Sequence, residues 1–166
     1  HLIEYIWLST KDNSSKIVLF LIYVSLSSYK FLREYFMESF NFEIEQEFNP
    51  IVHVEKKLGF YDQGDVSIAC WEPGQVSPNH CHPEAIEIYF CYEGGGIMRT
   101  ESEELEIKKG CFVVHPKGEL HEFTAGQNRT ILFRVRYGKS MVSRTKNWPT
   151  NLTWQATAQD LKYFAG

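Results

Sequence analysis

The alternation of apolar and polar positions changes character near residue 42. Upstream, residues 17–24 read Ile-Val-Leu-Phe-Leu-Ile-Tyr-Val, an unbroken apolar run. Phe31, Leu32, Tyr35, Phe36 and Phe40 then recur at helical spacing behind Ser28, a candidate N-cap, which predicts a short helix over 28–40. From Phe42 onward short apolar segments alternate with turn residues. Strands are expected over 51–54, 66–71, 86–92, 96–100, 105–107, 111–114, 122–124 and 130–135. Strands at this spacing predict an all-β sandwich or barrel. Beyond Tyr137 the pattern loosens. Residues 147–151 read as a loop, and 157–164 as a short helix on the spacing of Leu161 and Phe164. Trp148 and Trp154 are expected to cover an outer face of the barrel or to sit in a subunit interface. The chain thus divides into an N-terminal extension, 1–41, and a barrel domain with a C-terminal tail, 42–166.

The apolar run 17–24 is too short to span a membrane. It has the size of a signal-peptide core. It equally suits a buried strand or helix packed on the barrel, or a stretch preceding a natural start at Met37.

Composition adds bounds rather than detail. The chain has 166 residues, of which 43% are hydrophobic and 23% charged, ordinary values for one globular domain with its own core. A formal net charge of −4, with no basic cluster, excludes a general nucleic-acid binder. Cys70, Cys81, Cys91 and Cys111 include no Cys-x-x-Cys pair and read as reduced thiols of a cytoplasmic protein, with a secreted form the alternative that the apolar run leaves open. Asn13, Asn128 and Asn151 begin Asn-x-Ser/Thr triplets, which carry little weight alone.

The candidate chemistry sits in residues 74–94. His80 and His82 are two apart, so in a strand they face one side. Pro83 interrupts the strand, and Glu87 can return a carboxylate toward the imidazoles. Two imidazoles and a carboxylate on one wall suit one divalent transition metal ion: Fe, Mn, Ni, Cu or Zn. His121 is a fourth candidate ligand. If Glu87 points inward, so do Tyr89 and Cys91; if His121 does, so does Phe123. Cys81 should face away. His53 reads as a surface or edge residue, and His115, before Pro116, as structural, with a place behind the metal ligands the alternative. Arg99, Arg134 or Arg136, if it faced inward, could bind a carboxylate.

This stretch resembles the cupin family. Gly74, His80, His82, Glu87 and Gly94 stand at the spacing of its first motif, and Gly110, Pro116, Gly118 and His121 at that of its second, fifteen residues further on. The last position of the second motif departs: it is Ala125, with Asn128 three residues beyond. The resemblance implies a jelly-roll barrel with His80, His82, Glu87 and His121 as metal ligands, and a homodimer. Such a set leaves one or two coordination positions open for substrate or dioxygen. The expectation is a mononuclear metal enzyme acting on a small oxygenated metabolite by dioxygenase-type chemistry, with Tyr89 as an accessory acid or base. The alternatives are a non-redox isomerase, cyclase or lyase, and a non-catalytic small-ligand binder. The expected partner is a small molecule, not nucleic acid or membrane.

Overall fold

The computed structural model describes residues 37–147 and 154–166. The chain divides into two compact units, His1–Ser39 and Phe40–Gly166, and the elements below belong to the second. The apolar run 17–24, Trp148 and most of the helix expected over 28–40 lie outside the described residues. Positions 37–40 are not helical. Among the described residues the first helix is α1 (Phe42–Glu45), where the Asn41 side chain accepts the Glu43 N–H at 2.8 Å and starts the turn.

Ten strands follow in order: β1 (Val54–Tyr61), β2 (Gly64–Trp71), β3 (His80–Cys81), β4 (Ala85–Glu93), β5 (Gly95–Thr100), β6 (Glu104–Lys108), β7 (Phe112–His115), β8 (His121–Ala125), β9 (Thr130–Gly138) and β10 (Arg144–Thr145). A last helix, α2 (Ala158–Phe164), closes the chain. Thr157 and Asp160 cap it reciprocally. The strands form two antiparallel five-stranded sheets, ordered β1-β2-β9-β4-β7 and β10-β3-β8-β5-β6. This is a jelly-roll, as the resemblance implied.

Most expected strands appear with longer ends. The exception is 51–54, where the Asn49 side chain accepts from Ile51 N at 2.8 Å and turns the backbone, so β1 starts only at Val54. The two-residue strands β3 and β10 have no periodic signal.

Cross-strand register sorts the interior into an apolar and a polar end. Ala69, Leu132 and Cys91 align across β2, β9 and β4 and join Trp71, Met98, Ile107 and Phe123 in the core between the sheets. One step along, Ser67, Arg134 and Tyr89 align; one further, Asp65, Arg136 and Glu87. Charges follow apolar side chains inward because the period of two puts residues i and i+2 on one face. On the other face of β2 and β9, Ile68, Cys70 and Ile131 pack under Phe42 and Phe48. Among the described residues no helix is long and apolar enough to cross a membrane.

Candidate metal centre

The polar end of the barrel gathers the four candidate ligands. His80 and His121 face each other directly across β3 and β8, with ring centroids 4.5 Å apart. Glu87 reaches them from the opposite sheet. Its Oε2 lies 2.7 Å from His121 Nε2 and 3.9 Å from His80 Nε2. Donor atoms of His80, Glu87 and His121 lie within 4.8 Å of one another. His82 stands outside that tight group, just past β3, but its Nε2 meets the other carboxylate oxygen, Oε1, at 3.2 Å.

All three imidazoles are held the same way. His80 Nδ1 is 2.9 Å from the Pro78 carbonyl, His82 Nδ1 3.3 Å from that of Val142, and His121 Nδ1 3.0 Å from that of Glu119. A carbonyl can only accept, so each Nδ1 is the donor, and each ring turns its Nε2 toward Glu87. His82 Nε2 and Glu87 Oε1 are buried with no hydrogen-bond partner. Three imidazole Nε2 atoms and a carboxylate converging in one buried place are ligand types that a transition-metal ion takes, so the donor set fits a metal ion.

A turn ties the two halves of the site together. Gly118 adopts φ +78°, which L side chains rarely accept, and its N–H donates to the His82 carbonyl at 3.0 Å. The same turn presents the Glu119 carbonyl that orients His121.

Electrostatics keep the site primed. Burial pulls His80 well below the ordinary histidine range, and His121 adds to this. Burial works to raise Glu87, but its contacts with His121 and His82 outweigh it and hold the carboxyl well below its usual range. Burial, with the Glu87 charge nearby, pushes the Tyr89 phenol well up, so Tyr89 stays protonated. Arg134 Nε lies 3.5 Å from Glu87 Oε1; its other nitrogens bond Ser67 Oγ at 2.9 Å and pair with Glu55. Arg136 forks onto Asp65 at 3.2 and 2.7 Å. Both arginines face inward, but each is already paired with a carboxylate. The reading of either as a free carboxylate receptor therefore gives way to one of internal charge compensation.

Beside the ligands lies a cavity of about 180 Å³. His80, His82, Tyr89 and Arg134 reach it from the site, with His53, Trp71 and Trp154 among its other walls. His80 is the ligand candidate on the accessible side, its side chain 12% exposed against 2% or less for the other three.

Residues 67–133 match the family model described as "Cupin domain". The chain carries a cupin domain. No curated protein matches the chain. The structure is similar to an uncharacterized conserved protein with a double-stranded β-helix domain from Klebsiella pneumoniae (TM-score 0.63, 14% identity, covering 68% of this chain and 99% of that one). It is also similar to an RmlC-like cupin protein from Desulfovibrio desulfuricans (TM-score 0.57, 18% identity, 61% and 97%). A third is a sugar phosphate isomerase of the cupin superfamily from Silicibacter pomeroyi (TM-score 0.51, 20% identity, 58% and 66%). At these identities the likeness is one of fold.

Several residues around the cupin site were misplaced by sequence reasoning. His53 is not an ordinary edge residue: its ring stacks on Trp71 at 5.1 Å and 10°, and its Nδ1 is buried without a partner. The signal was present in the alternation His53-x-Glu55, which reads equally as a solvated face. Trp154 walls the cavity, a place the sequence reading did not give it, its Nε1–H donating to the Val76 carbonyl at 3.2 Å. Cys81 does face away from Glu87, but it is buried, hydrogen-bonded with Tyr163 of α2. Burial pushes the Cys91 thiol up to about 11, as befits an inert core side chain. None of the four cysteines is in a disulfide.

Proposed function

We propose that this protein is a mononuclear metal-dependent enzyme acting on a small oxygenated metabolite. The observation that carries the reading is the convergence of His80, Glu87 and His121 donor atoms within 4.8 Å at a cavity of small-molecule size. His80, His82, Glu87 and His121 would hold one Fe, Mn, Ni, Cu or Zn ion. Bound there, such an ion supplies Lewis acidity and, if redox-active, a route for dioxygen chemistry.

The chain's own residues do the rest. Trp71, Trp154 and His53 offer flat walls to the body of a planar substrate. Tyr89, held as the phenol, donates a hydrogen bond to, or protonates, a substrate oxygen beside the histidines. Arg134 and Arg136 bring their own counter-charges, so the pocket accepts a neutral or singly charged ligand without leaving a bare cation.

Dioxygenase-type chemistry on an enediol, diketone or phenol is the first form of this reading. The protonated Tyr89 favours a second form, a non-redox isomerase, cyclase or lyase step in which the phenol returns a proton. Elemental analysis of the purified protein, with oxygen uptake after loading ferrous iron, separates them. Uptake on such substrates supports the dioxygenase. Turnover of carbonyl substrates without uptake supports the non-redox step. No metal bound under any loading overturns both. A homodimer belongs to the proposal as well: Phe90, Phe112, Val114 and Tyr137 expose apolar surface on one sheet. Sedimentation checks it.

A further inference from the structure

His115 and Glu119 belong to none of the ligand positions, yet they form a closed circuit of contacts with His121. The His115 ring lies parallel to that of His121, 3.9 Å away at 11°. His115 Nδ1 is 2.7 Å from Glu119 Oε2. Glu119 returns its backbone carbonyl to His121 Nδ1 at 3.0 Å. His115 is also the direct cross-strand partner of Glu87 in the β4–β7 register.

We propose that His115 and Glu119 are positioning residues that set the ring plane and Nε2 direction of His121, and through it the metal affinity of the site. The proposal rests on the metal reading above. The physical argument concerns degrees of freedom. A side chain at the start of a strand can still rotate about its Cβ–Cγ bond, and Nε2 moves with the ring. Stacking on His115 fixes the ring plane. The hydrogen bond to the Glu119 carbonyl fixes which edge carries Nδ1, and so aims Nε2 at Glu87 Oε2, 2.7 Å away. The carbonyl is useful only if Glu119 itself is fixed. It is held at its other end, where its carboxylate accepts from His115 Nδ1. The Pro116–Glu119 turn adds a third hold, since Glu119 N–H donates to Pro116 O at 3.2 Å and Gly118 N–H to His82 O at 3.0 Å. An aliphatic residue at 115 could not stack this way, and a phenylalanine could stack but not hold Glu119. The circuit therefore uses both properties of the imidazole.

The test is cobalt(II) titration of the full-length apo-protein, followed by visible absorption and by competition with a chelator, beside the thermal midpoint of each apo variant. His115→Ala is expected to raise the cobalt Kd by about 10–100-fold, the usual effect of removing an outer hydrogen-bonding partner, and to shift the cobalt absorption bands. His115→Phe restores the stack and recovers part of the affinity. Glu119→Gln keeps an acceptor for His115 and binds nearly as wild type, whereas Glu119→Ala does not. Should His115→Ala fail to fold, His115→Phe and Glu119→Ala carry the same comparison. Wild-type affinity and spectrum in both His115→Phe and Glu119→Ala would overturn the inference. So would affinity losses that merely track the thermal midpoint and appear equally in Glu119→Gln. If the wild type binds no cobalt, the metal reading falls and this inference with it; if it binds and the variants match it, only the inference falls.

Discussion

His121 Nε2 lies 2.7 Å from Glu87 Oε2, although the residues are 34 positions apart and belong to different sheets. The contact is the seam of the site: imidazoles come from β3, the turn after it and β8, and the carboxylate from β4. Both ends are buried, and His121's other nitrogen is already committed to the Glu119 carbonyl. Both atoms are of the ligand types that a transition-metal ion takes, and the two sheets bring them to one point.

Glu87→Gln should therefore reduce metal affinity more than any outer-shell change, beyond about 100-fold, with the barrel still folded. His82→Ala should also lose metal, because His82 Nε2 faces the second carboxylate oxygen at 3.2 Å. Metal-to-protein ratios after dialysis check both. Full metal content in His82→Ala would leave His80, Glu87 and His121 as the whole protein ligand set.

The charge row behind the site predicts a stability effect independent of metal. Asp65 is fully buried and pairs with Arg136 at 2.7 Å, Lys57 at 3.2 Å and Arg134 at 3.6 Å. Asp65→Asn leaves buried guanidinium charge uncompensated and should cost about 3–5 kcal/mol, read from urea unfolding.

The same residue carries a pH signature. Burial works to raise the Asp65 pKa, but the Arg136 pairing, with Arg134 and Lys57, outweighs it and leaves the group below its ordinary value. A depressed folded-state pKa adds stability above the unfolded value, about 3.9, and loses it as pH falls through the folded value. The stability gap between wild type and Asp65→Asn should shrink steadily below about pH 4. A gap unchanged down to acid denaturation would refute the charge assignment.

Gly118→Ala tests the turn that joins the two halves of the site. An added Cβ meets nothing within 4 Å, so the whole cost comes from φ +78°. It should amount to about 1–2 kcal/mol. Gly118→Asn should cost less, since asparagine tolerates that region. Thermal midpoints of the two variants give the comparison.

Trp71 joins the core to the cavity, packed edge-on against Phe123 at 5.0 Å and stacked under His53. Trp71→Ala should destabilise the fold by about 3–5 kcal/mol. Trp71→Phe should retain the fold while changing ligand affinity. A cobalt-loaded Trp71→Phe protein that binds small enediols as the wild type does would remove Trp71 from the pocket wall.

Much of the architecture was legible in the chain. Period-two alternation over 86–92 put Glu87, Tyr89 and Cys91 on one face, because a strand's side chains alternate whatever it pairs with, but left open whether Arg134 and Arg136 faced inward. The spacing of Gly74, His80, His82, Glu87, Gly118 and His121 marked the candidate ligands for the same local reason: turns and alternation act over a few residues. Whether two inward faces meet, and at what offset, depends on register between strands far apart in sequence. That is why His115 behind His121, Asp65 beneath Arg136, and His53 and Trp154 on the cavity wall emerged only from the tertiary structure. Nor could alternation say that Glu55, Ser67 and Glu87 would be waiting for an inward Arg134. Side-chain direction is a local property of the backbone, whereas the partner that satisfies a buried charge is set by long-range packing.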